Sequence, residues 1–350
     1  MYQFIKSDIN LDFIGKRKIA YAVSLFLILS SIAFLVANKG PRYGVDFSGG
    51  TVIQVRFDAP VNANDIISGL DTLKIITSSV QTFGDKKDNE FLIRAEHSLN
   101  TDKEFATKVT EALKKSTGKA ADIRRMEIVG PQVGQELREK ALFAIFYAML
   151  FITIYMSGRF EFKWLMSALV TGILIGSVYF FSWLFSSVLN IKVGMLELTG
   201  VALLVALALF WVLKLKYAMG AIVALIHDVT ITLGVFSLMG KEITLTTIAA
   251  ILTITGYSLN DTIIVYDRIR ENVRKQYKNP FDVIINNSIN ETLSRTILTS
   301  GTMLIVILSL LFLGGGTIHD FALAMTVGVI VGTYSSIYVA SPILLEWQDK

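Results

Sequence analysis

Long, uninterrupted apolar runs are the feature that most restricts how this chain can fold. The first extends from Ile19 to Ala37 behind Lys16-Arg17-Lys18, and a bilayer takes about 20 apolar residues to cross. After Pro131 six clear stretches follow, near 138–157, 165–189, 217–239, 243–266, 296–313 and 321–343. A shorter one near 195–213 contains Glu197. Backbone groups inside lipid must be satisfied within the segment itself, so runs of this length are read as helices. The expected architecture is a polytopic α-helical membrane protein of about eight spans. Composition agrees, with 53% hydrophobic and 18% charged residues against nearer a quarter charged in a soluble domain.

The apolar core of a cleavable leader is about 7–15 residues. Ile19–Ala37 is longer, and Leu35 sits where a cleavage site wants a small residue. An uncleaved first helix is therefore expected. The chain has no cysteine, which removes disulfides and thiolate metal sites. His97, His227 and His319 lie far apart without metal-ligand spacing. No metal, cofactor, nucleotide or nucleic-acid site is expected.

Between the first and second spans the chain reads as a separate domain. Gly and Pro in NKGPRYG (38–44) end the first helix. TVIQVRFD (51–58) alternates as a strand, residues 62–73 have helical spacing, and a strand-like stretch follows near 75–83. GDKKDN (84–89) is turn chemistry before the strand EFLIRAE (90–96). Residues 101–117 form an amphipathic helix with Phe105, Val109, Ala112 and Leu113 on one face, and ADIRRMEIV (121–129) closes the domain. The order βαββαβ predicts a ferredoxin-like α+β fold.

Charge in the short loops orients the spans. Lys or Arg at 6, 16–18, 159, 163, 214, 216, 268, 270, 274, 275, 278 and 295 fall on one side if the spans alternate. The opposite short loops carry only Lys192 and Lys241. The positive-inside rule then places both termini in the cytoplasm and the domain on the outer face. The expected divisions are 1–38 (N-terminus and first helix), 39–135 (outer domain), 136–164 (second helix), 165–216 (a hairpin) and 217–350 (four helices with a cytoplasmic loop at 267–294).

Several strings together resemble the SecF family of protein-export membrane subunits. They are YGVDFSGGT (43–51), VGPQVGQELREKA (129–141), IVALIHDVTITLG (222–234), GYSLNDTIIVYDRIREN (256–272), ETLSRTILTSG (291–301) and GTYSSIYVASP (332–342). The resemblance implies a half-transporter of the resistance-nodulation-division type in a bacterial inner membrane. Its homologous other half would be SecD, beside the SecYEG channel and often YajC. Such a pair is thought to use the proton motive force to help an unfolded polypeptide across. One stretch departs from the pattern. The family usually has six spans, and RFEFKW (159–164) leads directly into the helix with the His-Asp pair, whereas here Leu165 to Lys214 intervene. They read as an inserted hairpin, with Ala168, Gly172 and Gly176 as a small-residue packing stripe; the alternative is a hairpin that only faces lipid.

Ionisable groups within apolar spans cost about 2.5–3.5 kcal/mol each on insertion scales, so each needs a reason. Asp261 lies six residues before Asp267, about 9 Å inside the boundary at helical rise. It shares a face with Ala250, Thr253 and Tyr257, expected to look into the bundle, and has Asn260 as its neighbour. It is either a proton-carrying carboxylate or a structural hydrogen-bonding one. Arg295, followed by Thr299 and Thr302, can reach a similar depth and act on its charge, or else snorkel to the headgroups. Asp228 is nearer mid-span, with Gly220, Ala224 and Thr232 on its face. His227 adjoins it, but neighbours on a helix point about 100° apart, which argues against a shared relay. Gly328 and Gly332, with Ser336 and Ala340, form another close-packing stripe. GVDFSGGT lacks the lysine of a phosphate loop and reads as a turn into the first strand. Proton-coupled assistance to protein translocation is the expected function, not an enzymatic one. The competing classes are an exporter of lipids or small molecules on the same fold and a non-transporting membrane scaffold.

Overall fold

The computed structural model describes residues 10–73, 75, 77–83, 88–95, 103–161, 164–188 and 195–347. Lys6, His97, Lys163, Lys192 and most of the 84–89 turn lie outside them. The first helix, α1 (Arg17–Ala37), stops where the chain turns through Lys39 and Gly40 at φ 58° and 103°. Gly40 N–H closes the end by donating to Leu35 O at 2.7 Å, the left-handed termination that glycine favours. Few of its side chains are buried, chiefly Ala20, Ser24 and Ser31. Small residues meet the bundle while Phe26, Leu29 and Val36 stay exposed on the other face.

A helical turn, α2 (Val45–Ser48), leads into β1 (Gly50–Phe57). The sheet domain continues through α3 (Ala63–Asp71), β2 (Thr77–Phe83), β3 (Glu90–Ala95), α4 (Lys103–Thr117) and β4 (Ala121–Val129). All pairings are antiparallel and the spatial order is β2-β3-β1-β4, which is the ferredoxin-like topology expected. Period-2 alternation in β1 turns Ile53, Val55 and Phe57 inward. Ile66 and Leu70 of α3 and Val109 and Leu113 of α4 cover them, each fully buried. Gly49 and Gly50 have φ 75° and 138°. A Cβ on Gly49 would press on the Pro131 backbone at 2.9 Å, so the turn read from GVDFSGGT needs glycine to pass the start of the next helix.

That helix is α5 (Pro131–Glu161). Then come α6 (Trp164–Trp183), a π-helical turn (Leu184–Val188), α7 (Met195–Val212), α8 (Lys216–Leu238), α9 (Leu245–Lys275), α10 (Phe281–Leu313) and α11 (Gly316–Ser335). A second π-helical turn (Ser336–Ala340) and the short α12 (Ser341–Glu346) end the described chain. Among the described residues six helices are long and apolar enough to cross a membrane. The apolar parts of the hairpin, Ala168–Trp183 and Leu198–Val212, are shorter.

The packing stripe expected on the hairpin is not used. Nothing lies within 4 Å of where a Cβ on Gly172 or Gly176 would stand, and Ala168 is exposed. The opposite face packs instead, through Val170 and Leu174 against the cluster containing Phe146, Leu150, Ala202 and Ile222. Larger side chains bury more apolar area there than a glycine stripe offers. Gly328 and Gly332 of α11 do lie against α9: a Cβ on Gly328 would run into Ile254, and one on Gly332 would meet Ser258 at 2.9 Å.

The helix ends sort into two groups. At one end the sheet domain meets the α8–α9 loop: Tyr43 bridges to Ile243, and Gly44 N–H donates to Ile243 O at 2.9 Å. At the other end Arg17 pairs with Glu346 (3.2 Å), Trp211 packs on Trp347, and Arg159 pairs with Asp267 (2.6 Å). The basic loops thus gather at the end opposite the sheet.

Candidate functional site

Two polar clusters sit inside the apolar bundle, on either side of α9. The first is built on Asp261, about 24 Å along α9 from Leu245 at helical rise. Its side chain is 1% exposed. Ser300 on α10 donates to Asp261 Oδ2 at 3.2 Å, and Ser300 in turn contacts Tyr257 (3.3 Å) and Thr333 of α11 (2.7 Å). Ser300 therefore links the Asp261 carboxyl to hydroxyls of α9 and α11.

Of the other expected members, Arg295 and Thr299 act on the Asp261 carboxyl, whereas Thr253 and Asn260 are turned away from it. Thr253 is exposed while Ala250 and Asp261 are buried, so the stripe predicted to look inward runs along the edge of the bundle. The buried face of α9 is instead Ala250, Ile254, Ser258, Asp261 and Val265. Asn260, one residue and about 100° away from Asp261, is exposed. Thr299 donates its hydroxyl to the Arg295 and Thr296 carbonyls of its own helix and its side chain also reaches Asp261. Arg295 is exposed; its charge acts on Asp261, though no ion pair within 4 Å joins the two among the described residues. With Asn260 and Thr302 it forms a polar strip on the open side of α9 and α10.

The second cluster is Asp228, which is 0% exposed, with His227 at 1%. Contrary to the expectation from helix geometry, the two neighbours bond each other: His227 Nδ1 lies 2.9 Å from Asp228 Oδ1. The Asp228 carboxyl lies beside small residues of α11. Gly332 lies with its Cα face there, where a Cβ would stand 3.5 Å from Asp228 Oδ2. Ser258 of α9 and Ser335 of α11 donate to the same Oδ2 at 2.5 and 2.9 Å. His227 stacks on Tyr334 and its Nε2 reaches Ser24 of α1 at 3.2 Å.

Sequence reasoning missed Ser24, Ser258, Ser300, Thr333 and Ser335. Hydroxyl residues in apolar helices can bond the carbonyl a turn earlier, as Thr253, Thr326 and Ser309 do here. A serine in a span therefore carries no signal of its own until the neighbouring helix is known. No group of three or more potential metal ligands exists among the described residues.

The clusters are held from both ends. At the basic end Tyr266, fully buried, donates to Ala340 O at 2.9 Å, a carbonyl in a π-helical turn, where the regular ladder is interrupted. At the end beside the sheet domain the Thr244 capping box starts α9, and Asp46 Oδ2 accepts from Leu245 N–H at 2.9 Å.

Comparison with known proteins bears on this arrangement. The family model for the protein export membrane protein SecD/SecF, C-terminal, matches residues 108–194 and 173–350, two pieces that meet within the hairpin. The SecD/SecF GG motif matches 34–61. The chain is 38% identical to the protein translocase subunit SecF of Vibrio alginolyticus, covering 99% of this chain and 92% of that one. It is 41% identical to the protein translocase subunit SecF of Magnetococcus marinus, covering 99% and 94%. Among solved structures it is similar to SecDF, a translocon-associated membrane protein from Thermus thermophilus, with TM-score 0.70 and 31% identity. That match covers 99% of this chain but 40% of the SecDF chain. A super-membrane-facing form of SecDF matches with TM-score 0.59.

Proposed function

The chain belongs to the SecF family of protein translocase subunits, and on that premise we propose that it uses the proton motive force, together with a SecD half, to assist export of unfolded polypeptides through the Sec channel. The observation that carries this reading is Asp261, buried among Tyr257, Ser300 and Thr333 beside an exposed strip of Asn260, Arg295 and Thr302. An ionised carboxylate is costly in a membrane interior, so such a group marks a functional pathway. A polar strip at membrane depth calls for a polar cover, and a homologous half supplies one. Arg295 then acts on Asp261 by moving: near it the guanidinium favours the charged carboxylate, and away from it a proton binds. SecD, SecYEG, YajC and the exported chain are the expected partners. Both termini and the basic loops face the cytoplasm, the hairpin completes eight spans, and the sheet domain meets the exported chain on the outer face of the inner membrane.

The test is export into vesicles at matched ATP, with and without a proton gradient. Asp261→Asn keeps size and hydrogen bonding but cannot exchange a proton in this range. It should still copurify with the SecD half and lose the gradient-dependent part of export, with Asp261→Glu retaining some. An Asp261→Asn protein that responds to the gradient like the parent makes Asp261 structural.

A further inference from the structure

The His227–Asp228 pair and its hydroxyl chain can be counted proton by proton. The Ala20 carbonyl only accepts, and Tyr334 OH lies 2.8 Å from it, so the single phenolic proton is committed there. Ser24 Oγ lies 3.1 Å from Tyr334 OH, and that contact takes the Ser24 proton. The contact between Ser24 Oγ and His227 Nε2 at 3.2 Å then needs its proton from the ring. With Nε2 protonated, the 2.9 Å contact between Nδ1 and Asp228 Oδ1 needs one more, carried by either atom. Ser258 and Ser335 fill Oδ2.

We infer that His227 and Asp228 form a second proton-holding position of this half, separate from Asp261 and organised by Ser24 and Tyr334. This rests on the proton-coupled reading above. The pair holds one shared proton, as imidazolium and carboxylate or as neutral imidazole and carboxylic acid. In both arrangements its charges sum to zero, the condition a fully buried site favours. Removing that proton leaves one negative charge among Ser258, Ser335 and the ring. The groups that face the pair are Ser24 and the Ala20 carbonyl from α1, Ser258 from α9, and Tyr334 and Ser335 from α11. Tyr334 is the other titratable member, while Asp261, one turn beyond Ser258, is bonded to Ser300 instead. Four helices thus share one proton, and a shift of α1 that withdraws Ser24 removes the partner that holds Nε2–H in place.

The experiment uses the full chain with its SecD half in lipid vesicles, labelled with ¹⁵N-histidine. The chain has three histidines, so His227→Gln assigns the ring of interest by subtraction. The expected result is a proton on Nε2 of His227; a bare Nε2, with Ser24 donating to it, overturns the count. Ser24→Ala should change that ring's signal. In the export assay Asp228→Asn should lose the gradient-dependent part. Retention there overturns the pair's role whatever Asp261→Asn does. Loss in Asp228→Asn with retention in Asp261→Asn leaves the pair as the proton site and removes Asp261 from it.

Discussion

The Asp46 carboxylate accepts the backbone N–H of Leu245 at 2.9 Å, joining residues 199 positions apart in sequence. Asp46 lies in the turn that introduces the sheet domain, and Leu245 begins the helix that carries Asp261. A negative charge there complements the unpaired N–H groups and the positive end of the helix dipole. The turn that introduces the sheet domain is thereby tied to the start of α9.

Asp46→Ala should loosen that start without touching either buried cluster. The expected cost is about 0.5–1 kcal/mol for a partly exposed charge at a helix N-terminus. Amide exchange in the first turn of α9 should speed up, with α8 unchanged. Equal exchange in both proteins would show that the Thr244 capping box alone holds this end.

The same junction should respond to pH. Glu242 lies in the α8–α9 loop, 3.5 Å from Arg94 of β3. Burial pushes its carboxyl above the ordinary value, opposed by the Arg94 charge, with Asp320 pushing the same way as burial and Arg42 against it. The docked state binds the proton more tightly than an undocked one. Docking is then fully favoured below the ordinary carboxylate value of 4.5 and weakens as pH rises through the raised one. Cross-linking between β3 and the loop should fall across that rise, and Glu242→Gln should flatten the curve. A cross-linking yield that climbs with pH would contradict the assignment.

Orientation is open to direct chemistry because the chain has no cysteine of its own. Lys241→Cys should react with an impermeant thiol reagent added to the outer face. Lys214→Cys should be protected, since it sits beside the end of α7, where Trp211 meets Trp347. Reaction of Lys214→Cys from outside would mean that the hairpin does not cross twice.

Gly220 and Tyr266 form a lock that a double-mutant cycle can measure. A Cβ at Gly220 would strike the Tyr266 hydroxyl, so Gly220→Ala should cost on the order of 1–3 kcal/mol by overpacking. Tyr266→Phe leaves the Ala340 carbonyl without its donor, costing about 1–3 kcal/mol. The double variant should be less destabilised than the sum, because the hydroxyl that clashes has gone. Additive thermal shifts in detergent would show that the two act separately.

Much of this architecture is legible in the amino-acid order because it depends on local periodicity. Apolar runs of bilayer length leave the backbone no choice but helix, and alternation in residues 51–58 with spacing in 101–117 specifies the sheet domain. The ferredoxin-like order follows from those elements. Asp261 and Asp228 stand out because a carboxylate in an apolar run is costly wherever its neighbours lie. Their partners are another matter. Asp261 meets Ser300 from 39 positions away, and His227 meets Ser24 from 203. Only helix packing decides which serine hydroxyl turns from its own carbonyl to a neighbour's carboxylate. Packing also overrode helical-wheel geometry at His227 and Asp228, whose buried side chains bond each other. On α6 it buried Val170 and Leu174 and left Gly172 and Gly176 outside, because the helix turned its larger apolar face to α5 and α7. Sequence determines which segments are apolar enough to cross a membrane and which charges need an explanation; the tertiary contacts decide which groups hydrogen-bond to one another, since that depends on distances between helices far apart in the chain.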